Sequence, residues 1–350
     1  MRKSDFIGLL LLAFVIGCRF NGAVADFYAT RCYPVLSHGL SWCAAFVPFS
    51  LEEIIVVGFV LALVRVLVRA IRRKQGFGRW LGKTLRLALW LVVWFYMGWG
   101  NNYFRTPLYP RMGIQRTTFE KEAFHRFLTD YTGALNGCAG TDKTWNRDAL
   151  ASEIRVFYSG QVTDYGYTGL REWQQVKKPL VNPLYSAVGV LGFMGPFFCE
   201  SQVNLDLPDN EYPFTLAHEM AHLAGVTSEA EANYWAYVFC RQSKDASVRY
   251  SGYLGLLGYA ASNASALLPE EEYDDGFDEL EEEEPEPELT AEERTEMRKE
   301  RTKLAFGAGN LVVIIGGVFA ILLLLTMLFN MISFVINDMG RSFSLFQTNF

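Results

Sequence analysis

No two of the six cysteines (Cys18, Cys32, Cys43, Cys138, Cys199 and Cys240) form a CxxC pair, which excludes the common cysteine-ligated structural zinc site. All six are expected to act as small buried hydrophobes; the alternative is a Cys32–Cys43 disulfide, if that loop faces an oxidising compartment. Histidine is scarce too, at four in 350 residues. Basic residues are not interleaved with aromatics, so nucleic acid is excluded as a partner. Acidic residues are missing between Arg65 and Arg86, and basic ones are missing between Glu270 and Glu288. There is no internal repeat.

Two of these gaps define the chain's organisation. The Glu270–Glu288 stretch holds 13 acidic residues, so the formal charge of −6 conceals +7 on the remainder. Such low-complexity acid with two prolines predicts a solvated linker. The Arg65–Arg86 stretch carries eight Lys or Arg residues between two apolar runs, Ile54–Val68 and Leu87–Gly100. By the bias of basic loops this connection is cytoplasmic. An earlier run, Phe6–Cys18, follows a basic start as a signal anchor does. A last one, Leu311–Phe329, is nineteen residues with only Thr326 polar. Its flank, Arg294–Lys303, has five basic residues and argues for the opposite orientation, but the upstream loop holds more charge.

The expected division is therefore a three-span anchor over 1–100, an ordered domain over 101–268, an acidic linker over 269–303, and a final span with a short tail over 304–350. The domain lies outside the membrane of a multi-pass cell-membrane protein, with the lipid bilayer as a partner. Within it, Phe119–Leu135 has helical apolar spacing. Glu153–Tyr158 and Phe198–Leu205 alternate as strands do, and the segment from Cys199 to Leu205 is expected at a sheet edge where an extended peptide could add. Phe214–Ala224 and Glu229–Cys240 read as helices broken at Gly225, which gives an α+β class.

The chemistry sits on the first of these two helices, in His218-Glu219-Met220-Ala221-His222. Histidines at i and i+4 project from one helix face and can share one tetrahedral zinc. Glu219, beside the first ligand, is placed to take a proton from a zinc-activated water as general base. An HExxH string arises by accident in a chain of this length about one time in a hundred, so context decides. Pro213 opens the helix, Gly225 stops it, and Ser228-Glu-Ala-Glu231 starts the next helix as a capping box. The third ligand is expected to be Glu229, which shares a face with Asn233; Asn233 would then orient a ligand from behind. Glu231 is the runner-up, with capping of Ser228 as its other role. Ser228 stands where a third histidine of the longer HExxHxxGxxH pattern would be, so that arrangement is excluded. The bland alternative is a buried helix with two satisfied histidines.

Blocks across the chain carry a resemblance. Tyr33-Pro-Val-Leu, Pro48-Phe-Ser-Leu-Glu-Glu53, Trp99-Gly-Asn-Asn-Tyr-Phe-Arg105, Pro196-Phe-Phe-Cys-Glu-Ser-Gln-Val-Asn204, Pro213 to His222 and Ser228-Glu-Ala-Glu-Ala-Asn233 resemble the bacterial membrane family known as domain of unknown function 3810, over roughly residues 25–265. The resemblance implies a three-span anchor and an extracytoplasmic, zincin-like metallopeptidase domain. Glu229-Ala-Glu-Ala-Asn233 is also similar to the ExxAD segment of membrane peptidases related to the prenyl-protein and heat-shock proteases. That similarity implies Glu229 as ligand, with Asn233 in place of the Asp. The expected function is thus a membrane-anchored zinc peptidase acting on peptide or protein. The alternative is a non-catalytic scaffold or sensor with a structural or degenerate zinc site.

Overall fold

The computed structural model describes residues 3–72, 77–115 and 118–268, so the acidic linker and the last apolar run lie outside the described residues. The architecture is mixed α and β, mostly helical around one small sheet. Two compact units emerge. The first joins Met1–Gln115 to Gly133–Leu267, so the stretches before and after residue 100 belong to one body. The second holds Arg116–Thr132 and Leu268–Phe350. Its described part is chiefly the first turns of α7 (Lys121–Asn136), where Phe124 stacks on Phe127 at 6.0 Å.

The first unit begins with α1 (Lys3–Phe20), then α2 (Gly22–Phe27), a π turn (Tyr28–Cys32) and α3 (Tyr33–Ala45). Asn21 breaks the path: its side chain accepts from the N–H groups of Ala23 and Val24 and caps α2. Helices α4 (Leu51–Arg72) and α5 (Phe77–Gly98) follow. Among the described residues no single helix is long and apolar enough to cross a membrane. The pair Lys3–Phe20 and Gly22–Ala45 passes by length and composition together, bent by 114°.

A 3-10 turn (Gly100–Phe104) and α6 (Leu108–Arg111) lead into the segment that builds the rest. Glu153–Tyr158, expected as a strand, lies in α8 (Arg147–Gly160). Leu150, Ile154, Phe157 and Tyr158 are its buried face, a helical spacing that the shorter window misses, and Val156 points to solvent at 72% exposure. Asn146 caps this helix by accepting from the Ala149 N–H at 2.8 Å.

The sheet has three strands in the order β1 (Val176–Lys177), β3 (Glu200–Val203), β2 (Gly192–Gly195), with α9 (Asn182–Ala187) between the first two in sequence. Strand β3 pairs in parallel with β1 and antiparallel with β2. The Cys199–Leu205 segment is therefore central, not an edge, and the edge beside Glu219 belongs to β2. Its alternating pattern reports burial on both faces and not which side pairs with a neighbour.

Glu200 is buried as well. It forms an ion pair with Lys177, and its other oxygen accepts from the Glu52 N–H at 2.9 Å, capping the N-terminus of α4. Glu52 in turn accepts from the Phe197 N–H at 3.0 Å, and Lys177 donates to the carbonyl of Phe49 at 3.1 Å. These contacts fasten α4 to the sheet. All six cysteines are free, and four of them (Cys18, Cys138, Cys199, Cys240) are buried. Glu200→Ala leaves the Lys177 ammonium buried without its partner, and is expected to cost about 3–5 kcal/mol. A shift of the chemical-denaturation midpoint in detergent measures it; an unshifted midpoint would show that the pair contributes nothing.

Candidate metal centre

Helix α10 (Tyr212–Leu223) is buried at every position except His218. Pro213 supplies its N-terminal turn. Three side chains add a donor to carbonyls of this buried helix. Tyr158 donates to Ala217 O at 2.9 Å, Trp99 Nε1 to His222 O at 2.9 Å, and Tyr33 to Leu223 O at 2.8 Å. The helix stops in a Schellman turn: Gly225 N–H donates to His222 O at 3.0 Å and Val226 N–H to Ala221 O at 3.2 Å. Gly225 has φ +91°, and a Cβ there would sit 2.9 Å from the Tyr33 ring. Glycine is required on both counts.

That turn brings the Val226 carbonyl back to His222 Nδ1, at 2.7 Å. On the next helix, α11 (Glu229–Gln242), Asn233 offers its Oδ1 to His218 Nδ1, also at 2.7 Å. Both acceptors are oxygens, so each Nδ1 carries the hydrogen and each Nε2 presents a lone pair. The two Nε2 atoms face each other at 3.1 Å. Two lone pairs do not sit at that distance without a cation between or beside them. A tetrahedral zinc with bonds of about 2.0–2.1 Å would hold its nitrogens ~3.3 Å apart, so the pair fits such an ion.

Glu229 completes the set. Its carboxylate oxygens lie 3.1 Å from His218 Nε2 and 3.7 Å from His222 Nε2. Ligand atoms of His218, His222 and Glu229 all fall within 4.8 Å of one another, the one such group found among the described residues. Glu231 is turned elsewhere. It accepts from the Leu108 N–H at 2.7 Å and from the Tyr167 hydroxyl, and it faces Arg111. Its backbone N–H, not its side chain, makes the contact to Ser228, at 3.4 Å.

Glu219 sits on the same helix with 6% of its surface exposed, and its Oε2 has no hydrogen-bond partner. A Cβ on Gly192 would lie 2.5 Å from its Cγ and Oε1, so the carboxylate lies directly on the backbone of β2. Burial pushes the Glu219 carboxyl up, against the pull of the two imidazoles. Burial disfavours the charged His222 ring, but Glu229 and Glu219 outweigh it and raise the ring to about 9. Desolvation raises Glu229, but His222 and His218 override it and hold the carboxyl well below its ordinary value. Glu229 nevertheless keeps 74% of its side-chain surface exposed, so it approaches the rings from the solvent side.

Gly192, Trp99 and the Val226 carbonyl are absent from the sequence-derived site. Gly192 had a readable signal, since an isolated glycine beside a strand marks a close approach. The Val226 carbonyl had none, because a main-chain acceptor carries no residue type. The other two histidines lie elsewhere in the sequence, and His38 contacts the Gly169 carbonyl at 2.9 Å.

A family model described as a protein of unknown function (DUF3810) matches residues 28–286 and so spans every residue of this cluster. No curated protein and no solved structure matches the chain.

With His222 raised to about 9, the metal-free cluster holds a proton at neutral pH, and a metal ion must displace it. Zinc binding at pH 7.5 is expected to release about one proton per ion, and the apparent affinity is expected to weaken about tenfold per unit of pH below about 9. Calorimetry in buffers of different ionisation enthalpy counts the proton. Binding with no release would contradict this electrostatic picture.

Proposed function

The chain belongs to the DUF3810 family of proteins of unknown function, and we propose that it is a membrane-anchored zinc metallopeptidase. The observation that carries the proposal is the pair of Nε2 lone pairs converging at 3.1 Å beside the Glu229 carboxylate. His218, His222 and Glu229 are the residues that would hold zinc. The bound ion supplies Lewis acidity, polarising a carbonyl and lowering the pKa of a water towards about 7.

The chain's own groups do the rest. Glu219, desolvated and with one oxygen unpaired, takes the proton of the attacking water and returns it to the leaving amine. Asn233 and the Val226 carbonyl hold the imidazoles in the tautomer that turns Nε2 to the metal. Backbone pairing supports a peptide as the substrate. Asn204 N–H donates to Leu191 O at 2.8 Å, so Phe193 and Gly195 point their main-chain groups at β3. Gly192 and Met194 then turn theirs to the edge that no strand among the described residues occupies, and Gly192 is where Glu219 rests. An extended chain added there would run past the general base. A metal-binding helix beside a mixed sheet whose edge strand runs antiparallel to its neighbour supports a zincin-like reading of the fold.

Membrane anchoring rests on large apolar side chains left exposed on α1, α3 and α4, among them Leu10, Val35, Trp42, Phe46, Leu61 and Val64. Six arginines and lysines (Arg65, Arg69, Arg72, Arg79, Lys83 and Arg86) lie on the facing ends of α4 and α5. A cytoplasmic connection there leaves the metal centre on the outer side of the membrane.

Glu219→Gln in the full chain is expected to keep zinc and lose about 10²–10⁴-fold of peptide hydrolysis, measured on casein or a quenched peptide library. A scaffold with a structural zinc would show no hydrolysis to lose. Gly192→Ala drives a methyl into the Glu219 side chain, so it too is expected to retain zinc while turnover falls. Unchanged turnover in that variant would remove Glu219 from the chemistry.

A further inference from the structure

Glu229 is three-quarters exposed, so packing does not fix it; its position follows from the backbone of the first turn of α11. First turns are where helices fray, and the Ser228 cap on this one is long at 3.4 Å. Something else must hold the turn. Two residues on, about 200° around the helix, Glu231 sends its side chain into a cluster of charged and aromatic groups.

We infer that this cluster of Glu231, Tyr167, Arg111 and Arg105 is a positioning clamp for the third metal ligand, and that it ties metal affinity to the N-terminal helices. The inference rests on Glu229 being that ligand, as proposed above.

Both Glu231 oxygens are committed. Oε1 accepts from the Leu108 N–H at the start of α6, at 2.7 Å, and Oε2 accepts from the Tyr167 hydroxyl, with the Arg111 guanidinium 3.5 Å away. Arg111 also donates to the Tyr167 oxygen, to the Tyr165 carbonyl and, through Nε, to Thr106 O at 2.9 Å. The Tyr167 ring is flanked by two cations, Arg111 at 4.3 Å and Arg105 at 4.5 Å. Arg105 is itself buried and donates to Gly166 O at 3.0 Å. Thr106 passes the connection on, giving its N–H and hydroxyl to the two Asp26 oxygens at 2.9 and 2.7 Å.

Two guanidinium and two carboxylate charges therefore balance in a mostly buried group. It spans α2, the turn into α6, the 165–167 turn and the start of α11. Its hydrogen bonds and ion pair to α11 are made through Glu231, and the Tyr167 ring also meets Trp235 of that helix edge-on at 6.3 Å. The backbone of that first turn is thus held from the face opposite the metal. Loosening it lets Glu229 swing into solvent without disturbing either histidine.

Glu231→Gln puts an amide N–H₂ against groups that are donors already and leaves Arg111 without its counter-charge. In the full chain it is expected to weaken zinc binding about 10–100-fold, read by competition with a chelating dye. The ligand-field spectrum of the Co²⁺-loaded protein should keep its shape, because the three ligands are unchanged. Tyr167→Phe removes a single donor and is expected to move affinity the same way by less; it carries the test if Glu231→Gln does not fold. The far-UV circular dichroism and metal-free melting temperature of each variant separate the effect from loss of fold. Wild-type affinity in a folded Glu231→Gln chain overturns the inference. So does an altered Co²⁺ spectrum, which would make Glu231 a ligand. A wild-type chain that binds neither ion overturns the zinc reading itself.

Discussion

Two imidazole nitrogens with lone pairs aimed at each other are the constraint around which this protein is built. Each ring has given its hydrogen to an oxygen behind it, Asn233 for His218 and the Val226 carbonyl for His222. The Nε2 atoms then meet at 3.1 Å, where only a cation relieves them. In the metal-free chain a proton on His222 serves, stabilised by Glu229 and Glu219. A divalent ion with nitrogen and oxygen ligands would satisfy the same requirement. Gly225 exists for this arrangement, since its left-handed turn delivers Val226 to His222, and so does Gly192, whose missing side chain makes room for Glu219.

The centre is not carried on an independent domain. Tyr33 from α3 and Trp99 just after α5 donate to the last carbonyls of α10, and Leu108 at the start of α6 meets Glu231 at the start of α11. The sheet is fastened from the other side by Glu52, Glu200 and Lys177. The helices that resemble an anchor are therefore the walls of the site. A change in how they pack would reach the His218–His222–Glu229 cluster through main-chain carbonyls and one carboxylate.

Much of this was legible in the sequence. Helical spacing placed His218 and His222 on one face, and the capping pattern at Ser228 located the start of the following helix. A face shared with Asn233 favours Glu229 over Glu231, and it is the Glu229 carboxylate that lies beside the two imidazoles. Elsewhere the reading failed for physical reasons. Glu153–Tyr158 alternates over six residues while its helix needs fourteen to show a stripe. The burial of Glu200 has no local signal, because its partner Lys177 and the backbone it caps are distant in sequence. Burial of charge is decided by such long-range pairs, and no local pattern announces them. The role of Glu231 was hidden in the same way: its partners Arg111 and Tyr167 lie 120 and 64 positions upstream.

X-ray absorption at the zinc edge of the chain, purified without chelators, reads the cluster directly. One zinc per chain is expected, with two imidazole signatures and a shell of light ligands only, at about 2.0–2.1 Å. A chain without zinc, or a zinc with sulfur neighbours at about 2.3 Å, would contradict it.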